Sequence, residues 1–339
     1  MLSFFRVAKS CFALSISFLL FSCGHEILQP VVSQEDLTIS GDRIAFSSRD
    51  QYRQTLEKLS TKEGYKEITS RLENKGFRSL KSYFRENNSD TLHFPSEIYE
   101  ILNENLEYSI SDTIYRYDVS RKVKYAFSKN ETDAYTKAKN GLNPGDRYIF
   151  SRFNSTPVEM RSTGGRVSIS EKGIDARHQK EFMIHQYNMG SASGRRKYVH
   201  ELWAYYEASG LQMSSQAIVE SYLFLQIKLE KKANTGWNNA TEARYVWCNI
   251  YGDSEVITKS NPNTWDPATN KTTFRFSEMF PTVGTVKLTL HKFTYMWWWE
   301  VGAETIKHQF SVEVNGSITQ EIVGGIPMDS WTNEGYPLW

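Results

Sequence analysis

The second half of the chain is a succession of segments in which apolar and polar residues alternate with a period of two. Such alternation is typical of strands that have one buried face. From Val158 onward these segments are Arg166 to Ser170, Phe182 to Tyr187, Lys197 to Tyr206, Ser221 to Leu229, Ala243 to Ile250, Thr272 to Phe276, Thr285 to Trp298 and Thr305 to Val314. Turn residues cluster between them at Gly190–Gly194, Gly236–Asn239 and Ser260–Asn263. About eight strands at this spacing predict an antiparallel β-sandwich, and the lack of a fixed-period repeat argues against a propeller or a solenoid.

The residues before this half show helical spacing instead. Tyr52, Leu56 and Leu59 follow the candidate N-caps Ser47 and Ser48 at i, i+4 and i+7, which predicts a helix. Further helical segments are predicted through Tyr65, Ile68 and Leu72 up to Gly76, from Ser79 to Arg85, and from Pro95 through Ile101.

After Asn105 the period changes to two. Short strands are predicted from Leu106 to Ile110, Thr113 to Tyr117, Val123 to Phe127 and Tyr148 to Phe153, with one helix between Glu131 and Asn140. The fold class expected is mainly β, with a small N-terminal α+β module and a C-terminal antiparallel β-sandwich. The predicted divisions are residues 1–22 (signal peptide), 23–40 (tether), 41–155 (α+β module) and 156–339 (β-sandwich).

The first 22 residues have the layout of an export signal. Arg6 and Lys9 form a basic region, and an uncharged run from Ser10 to Ser22 has an apolar centre too short to span a bilayer as a mature helix. A buried N-terminal helix would need a polar face, which this run lacks. We therefore predict a signal peptide.

The end of the run, Leu20-Phe-Ser-Cys23-Gly24, resembles the lipobox of bacterial lipoproteins. The resemblance implies that the Cys23 thiol is alkylated with diacylglycerol, that cleavage occurs before it, and that acyl chains such as palmitate hold the protein at the membrane. Two or three chains give durable attachment. The alternative is ordinary signal cleavage near Ser22 beside an incidental cysteine. We expect a lipid-anchored location in the cell envelope, at the outer membrane, with the facing side left open.

Several short motifs resemble a group of uncharacterised lipoproteins from Bacteroides-type gut bacteria. They are the segment Ser40–Tyr52, the step Lys75–Leu80, the pair Ile101–Asn103 and Asp112–Tyr115, and the later Gly194–Tyr198 with Leu202-Trp203. The resemblance implies an envelope location and a β-rich second half. It implies no activity, since the group has no established function.

Charge and motifs exclude several function classes. With 40 Lys+Arg against 39 Asp+Glu, the whole chain offers no electrostatic case for nucleic acid. His200-Glu201 begins like a zinc-protease helix but has Ala204 in place of the second His, and no phosphate-binding loop or dinucleotide fingerprint occurs. Cys248 lies in an apolar strand and is expected to be a buried thiol. We expect no metal, no cofactor and no catalytic residue, and the chain is not expected to be an enzyme.

A hydrolase stays open as a less favoured interpretation. It would need carboxylates such as Glu201, Glu207, Glu220 and Glu230 to pair across strands, as the acid and the nucleophile of a glycosidase do.

The aromatic residues give the remaining functional hypothesis. All nine Trp lie beyond residue 200, and aromatic rings beside amides and carboxylates suit sugars. The candidate binding residues are Trp237, Asn239, Trp265, Asp266 and Trp298. The expected partner, besides the membrane, is a polysaccharide; the alternative is a structural or assembly subunit whose aromatics bind another envelope protein.

Overall fold

A computed structural model describes residues 36–87, 92–157, 161–163, 166–168, 177–184, 194–209, 216–234, 236–259, 267–298 and 309–339. Leu37 to Trp339 form one compact unit. The predicted signal peptide and lipidated Cys23 lie outside the described residues. Within the described ranges, no helix combines the length and the apolar character needed to cross a bilayer.

Five α-helices lie in the first part of the described chain. They are α1 (Arg49–Leu59), α2 (Lys62–Asn74), α3 (Leu80–Asn87), α4 (Ser96–Ile101) and α5 (Thr132–Lys139). The Ser48 side chain caps α1 by accepting the Gln51 amide at 3.1 Å, and Thr61 caps α2 in the same way. Local capping and apolar spacing therefore place α1 and α2 where the sequence predicts them.

A large sheet contains most of the strands. Its members are β1 (Thr38–Ser40), β2 (Arg43–Phe46), β3 (Glu107–Ile110), β4 (Thr113–Asp118), β5 (Val123–Ser128), β6 (Ile149–Pro157), β9 (Arg177–Met183), β10 (Arg195–Ser209), β11 (Gln216–Ala233), β12 (Gly236–Asn239) and β15 (Val286–Trp298). The order is β1-β2-β3-β4-β5-β6-β10-β11-β12, with β9 beside β10 and β15 beside β11. Pairing is antiparallel except between β2 and β3.

A second antiparallel sheet packs against part of the first. It contains β7 (Arg161–Thr163), β8 (Arg166–Ser168), β13 (Arg244–Lys259), β14 (Pro267–Thr282), β16 (Gln309–Ile322) and β17 (Ser330–Gly335), in the order β14-β13-β16-β8-β7 with β17 on β16. Leu223 and Leu288 of the large sheet share one hydrophobic core with Val246 and Val312 of the second sheet. The two sheets therefore form a sandwich with a continuous apolar interior.

Helices α1 to α4, here called the cap, cover the opposite face of the large sheet. Leu56 and Ile98 of the cap share a hydrophobic cluster with Tyr205, Tyr222 and Phe224 of the sheet. Next to α4, the His93 ring stacks on the Trp203 indole at 3.4 Å between centroids. The structure is thus layered as helices, large sheet and second sheet.

These observations confirm the predicted mainly-β class with helices near the N-terminus. The sequence pattern predicts β15 nearly to its observed bounds, whereas it predicts β11 as Ser221 to Leu229 and the observed strand has 18 residues. Strands β1 and β2 were not predicted, and the expected turn at Gly236–Asn239 is wrong because these residues pair with Glu230–Ala233 as strand β12. The predicted division between residues 155 and 156 falls inside β6, which pairs with β10 in the same sheet.

Candidate functional site

A pocket lies where the cap meets the edge of the large sheet, and we call it the cap pocket. It is open on one side, and its space together with the solvent in front of the opening measures about 660 Å³. Its described lining comes from α3 and α4 (Lys81, Phe84, Ser96, Tyr99), from β11 and β12 with the residue that follows (Leu229, Asn239, Ala240), and from the end of β14, the turn after it and the start of β15 (Thr282, Gly284, Thr285, Lys287). Residues more than 200 positions apart in sequence therefore share one concave surface.

Lys287 fixes one wall of the cap pocket. Its ammonium donates to the carbonyl of Leu92 at 3.0 Å and to that of Phe94 at 3.3 Å, and it lies 3.8 Å above the Tyr99 ring centroid. The Tyr99 hydroxyl in turn donates to the Leu92 carbonyl. One lysine of β15 therefore holds the chain segment that leads into α4.

Lys81 marks the mouth of the pocket. Its Nζ lies 2.9 Å from Oε1 of Glu100 and also contacts the Tyr65 hydroxyl. The Lys81 side chain is 43% exposed, whereas that of Glu100 is 6% exposed. Burial acts to lower the pKa of Lys81, but Glu100 and Tyr65 outweigh it and hold that pKa above its ordinary value. The lysine therefore stays charged at neutral pH.

The rest of the lining mixes apolar and hydrogen-bonding groups. Phe84 is partly buried and its ring lies 5.8 Å from that of Tyr99. Thr285 and Asn239 add a hydroxyl and an amide to the lining, whereas the Thr282 hydroxyl donates to the Gly284 carbonyl at 3.3 Å and accepts the Gly284 amide at 3.0 Å. A pocket of this composition suits a small polar ligand that also has an apolar face.

Strand β12 carries two of the residues predicted from the sequence. Asn239 lines the cap pocket, and Trp237 lies two residues earlier on the same face of the strand. The Trp237 ring is partly buried, with the Lys197 ammonium 4.2 Å from its centroid and the Lys232 ammonium at 5.5 Å. Asn239 is thus placed in a pocket, whereas Trp237 lies beside it with its ring in contact with lysines.

For the other three predicted site residues, the structure gives only the backbone position of one. Trp298 is the last residue of β15, and its backbone pairs with Gln216 of β11. Trp265 and Asp266 lie outside the described residues. The structure therefore brings Asn239 and Trp237 together and leaves the remaining three as predictions.

A row of partly and fully exposed aromatic residues on β13 was not predicted. Tyr245, Trp247 and Tyr251 alternate along β13 with the buried Val246, Cys248 and Ile250. Tyr251 is 44% exposed, and Met279, directly opposite Trp247 on β14, is 49% exposed. We call Tyr245, Trp247, Tyr251 and Met279 the outer aromatic row. The period-two alternation in Tyr245–Tyr251 is the sequence signal that could have revealed it.

The carboxylates weighed for a hydrolase fall into two groups. Glu207 and Glu220 are direct cross-strand partners on β10 and β11. Glu207 is buried and accepts from Tyr117, Tyr205 and Ser151 at 2.7 to 2.9 Å, besides pairing with Lys124. Burial acts to raise the pKa of Glu207, but Lys124 and these hydroxyls lower it overall. For Glu220, burial and the neighbouring Glu207 raise the pKa.

The second group is an ion-pair network on the same face of the sheet. Lys228 bridges Glu201 at 2.8 Å and Glu230 at 3.1 Å, and Arg177 and Lys197 complete it from β9 and β10. None of the four carboxylates is among the described residues that line the cap pocket. Glu201, Glu207 and Glu230 are thus each paired with a lysine inside the fold.

A Ser-His-Asn arrangement inside the sandwich is also structural. His291 contacts Ser254 Oγ through Nδ1 at 3.0 Å and Asn270 Oδ1 through Nε2 at 2.9 Å. Ser254 is 0% exposed, so a substrate could not reach its hydroxyl. Burial lowers the pKa of His291 to about 4, which keeps the ring neutral.

The remaining sequence candidates for chemistry are buried as well. His200 lies in β10 at 0% exposure, which rules out the zinc-protease helix. Burial raises the pKa of the Cys248 thiol to about 12, as predicted for a core cysteine. Within the described ranges, no cluster of three or more His, Cys, Asp or Glu side chains could hold a metal ion.

The fold and the cap pocket thus define a mainly-β protein with a candidate small-ligand site. No protein-family model and no curated protein matches the chain. A solved structure that does match is the crystal structure of a DUF4848 family protein from Bacteroides thetaiotaomicron VPI-5482. The identity is 11%, the match covers 88% of this chain and 97% of that chain, and the TM-score is 0.19. This neighbour belongs to an uncharacterised family and comes from a Bacteroides species, as do the lipoproteins that the sequence motifs resemble. At this TM-score the match supports no conclusion about the site.

Proposed function

We propose that the chain is a lipid-anchored protein of the bacterial cell envelope that binds carbohydrate in the cap pocket. The observation that carries the binding proposal is the pocket itself. It joins Asn239, chosen from the sequence as a sugar-binding residue, to the partly buried ring of Phe84 and the hydroxyl of Thr285.

The chemistry of sugars fits this lining. One face of a pyranose presents C–H groups, which pack on aromatic rings, while its hydroxyls bind amide and hydroxyl groups at the ring edge. Phe84 supplies the apolar surface, and Asn239 and Thr285 supply hydrogen-bonding groups from another side of the pocket.

The envelope location is supported by the sequence. The basic residues Arg6 and Lys9, the uncharged run that follows and the lipobox-like Cys23 give a consistent export and lipidation signal. An acylated Cys23 would anchor the protein without a spanning helix.

The binding proposal is tested by titrating the full-length protein, extracted in mild detergent, with a panel of bacterial and host polysaccharides. Tryptophan fluorescence is the readout, because Trp237 lies two residues from Asn239 on the same strand. We expect a saturable change with at least one saccharide and its loss in the Asn239→Ala variant. No change with any saccharide would contradict the proposal.

The outer aromatic row favours a second candidate function, contact with another envelope protein. Aromatic and methionine side chains gathered on the outer face of a sheet are typical of interaction surfaces, and in this row Tyr251 and Met279 are exposed. Co-purification after mild detergent extraction, compared between the native protein and Trp247→Ala, tests it. A partner retained equally by both forms would contradict a role for the row.

A further inference from the structure

We infer that the saccharide is a chain of at least two sugar units, with one unit in the cap pocket and the next unit stacked on the Trp237 ring. This inference rests on the proposed function and names the ligand class of that site. It is carried by the position and the surroundings of the Trp237 side chain.

Trp237 lies just outside the cap pocket, on the face of β12 that carries Asn239. Asn239 lines the pocket, whereas Trp237 is not among the described lining residues. Residues two positions apart on a strand lie about 7 Å from each other on the same face. This spacing is comparable with the length of one sugar unit in a chain. A unit bound beside Asn239 would therefore have its neighbour near the Trp237 ring.

A buried lysine holds one face of the Trp237 ring. The Lys197 ammonium lies 4.2 Å from the ring centroid, and the Lys197 side chain is only 7% exposed. The partly buried ring therefore covers the lysine, and its opposite face is the one that a ligand can contact. The Lys232 ammonium lies 5.5 Å from the same centroid, but the Lys232 side chain is exposed and a ligand can displace it. The contact with Lys197 orients the ring before a sugar binds.

Polar groups surround the ring on the same patch of the large sheet. Glu230 on β11 is directly opposite both Lys197 on β10 and Asn239 on β12. Its carboxylate pairs with Lys197 at 3.0 Å and with Lys228 and Arg177 at 3.1 Å. Each of these three cations thus has a carboxylate partner, so the ligand needs no charge of its own. An aromatic face bordered by fixed polar groups suits a sugar unit, which has an apolar face and a rim of hydroxyls.

The first test varies the length of the ligand. Malto-, cello- and manno-oligosaccharides and oligomers of N-acetylglucosamine, each from one to four units, are titrated into the full-length protein in mild detergent. Calorimetry is the readout, because it does not depend on a tryptophan that is later replaced. In at least one series we expect the two-unit member to bind about tenfold or more tightly than the one-unit member.

The second test removes the stacking surface. Trp237→Ala should reduce the affinity for the two-unit member to that for the one-unit member, whereas Trp237→Phe, which keeps a ring, should retain part of the difference. Asn238→Ala is the matched control, because Asn238 is exposed and lies on the opposite face of the same short strand. We expect this control to leave both affinities unchanged.

The outcomes separate the two proposals. If one-unit and two-unit members bind equally, or if Trp237→Ala leaves the affinity for the two-unit member unchanged, the second sugar position on Trp237 is excluded while carbohydrate binding in the cap pocket stands. An equal loss for both members in Trp237→Ala also excludes it, because the ring would then act only by holding Asn239. If no member of any series binds, both proposals are contradicted.

Discussion

The ammonium of Lys124 on β5 pairs with the carboxylate of Glu207 on β10, and both side chains are at most 5% exposed. These strands are not neighbours, since β6 lies between them. Ser151 of β6 is directly opposite Lys124, and its short side chain donates to Glu207 Oε1 at 2.7 Å. A small residue at that position lets the lysine reach across a strand, and the pair joins the N-terminal strands to the sandwich.

Glu207→Gln is therefore expected to destabilise the protein by about 3 to 5 kcal/mol, because it leaves the buried Lys124 charge without its ion-pair partner. Lys124→Met should cost a similar amount. The double variant should lose clearly less unfolding free energy than the two single variants together, since it removes both charges. Urea denaturation of the three variants measures this, and additive losses would contradict a coupled buried pair.

The stabilisation that this pair contributes is expected to decrease at acidic pH. The pKa of Glu207 is lowered in the folded protein, so its stabilisation is present above the unfolded-state pKa and is lost as pH falls through the folded-state pKa. We expect the Glu207→Gln variant to lose less stability than the native protein over that acidic range. Parallel curves of unfolding free energy against pH would contradict the expectation.

The stability contributed by Glu97 on α4 is expected to depend on pH in the opposite direction. Burial raises its pKa, although Thr289, which donates to it at 3.0 Å, and Lys292 act to lower it. The folded protein then keeps a proton that the unfolded chain has lost, so stability declines as pH rises above the unfolded-state pKa. Glu97→Gln should remove this decline and be at least as stable as the native protein at neutral pH. Urea midpoints measured at several pH values test it, and an equal loss at every pH would show that the carboxyl acts only as a hydrogen-bond partner.

Gly316 and Gly145 form a matched pair of backbone positions. Their φ angles are +112° and +114°, which side-chain-bearing residues rarely adopt. A Cβ at Gly316 would lie 2.1 Å from the Asn249 carbonyl oxygen, whereas one at Gly145 would meet nothing within 4 Å. Gly145→Ala should cost about 1 to 3 kcal/mol of strain, and Gly316→Ala clearly more because β16 must move away from β13. Equal urea midpoints for the two variants would contradict this close approach.

The parts of the structure that follow local rules could be predicted from the sequence. The capping side chain of Ser48 and the spacing of Leu56 and Leu59 define α1 without reference to the rest of the chain. The alternation in Lys197 to Tyr206 likewise identifies β10, although the edges of long strands depend on neighbours that stabilise residues of weak β preference. Strand β12 was missed for this reason, since its Gly and Asn residues form a strand only because β11 offers a partner.

The candidate site depends on contacts that the sequence does not encode locally. Lys81, Asn239 and Lys287 meet only because the cap packs on the large sheet beside the turn between β14 and β15. Asn239 was predicted from its chemistry, but neither lysine carried a signal that set it apart from other surface lysines. The outer aromatic row is the opposite case, since its alternation with buried residues is visible in Tyr245 to Tyr251.

The anchor is tested by the Cys23→Ala variant of the full chain. We expect the native protein to fractionate with membranes and its intact mass to exceed that of the polypeptide from Cys23 by the lipid. The variant should move to the soluble fraction, because acyl chains supply the attachment. A variant that stays with the membrane would contradict lipid anchoring through Cys23, and Cys248→Ala, which removes a buried thiol, is the matched control.

The most direct test of carbohydrate binding in the cap pocket compares two aromatic variants on different surfaces. Phe84 lines the pocket, and Trp247 lies in the outer aromatic row. The dissociation constant of the full-length protein for the saccharide that binds best is measured for Phe84→Ala, Trp247→Ala and the native chain. If the saccharide binds in the cap pocket, we expect Phe84→Ala to raise the dissociation constant about tenfold and Trp247→Ala to leave it unchanged. Loss in Trp247→Ala with native affinity in Phe84→Ala would contradict it and place the sugar on the outer face of the second sheet.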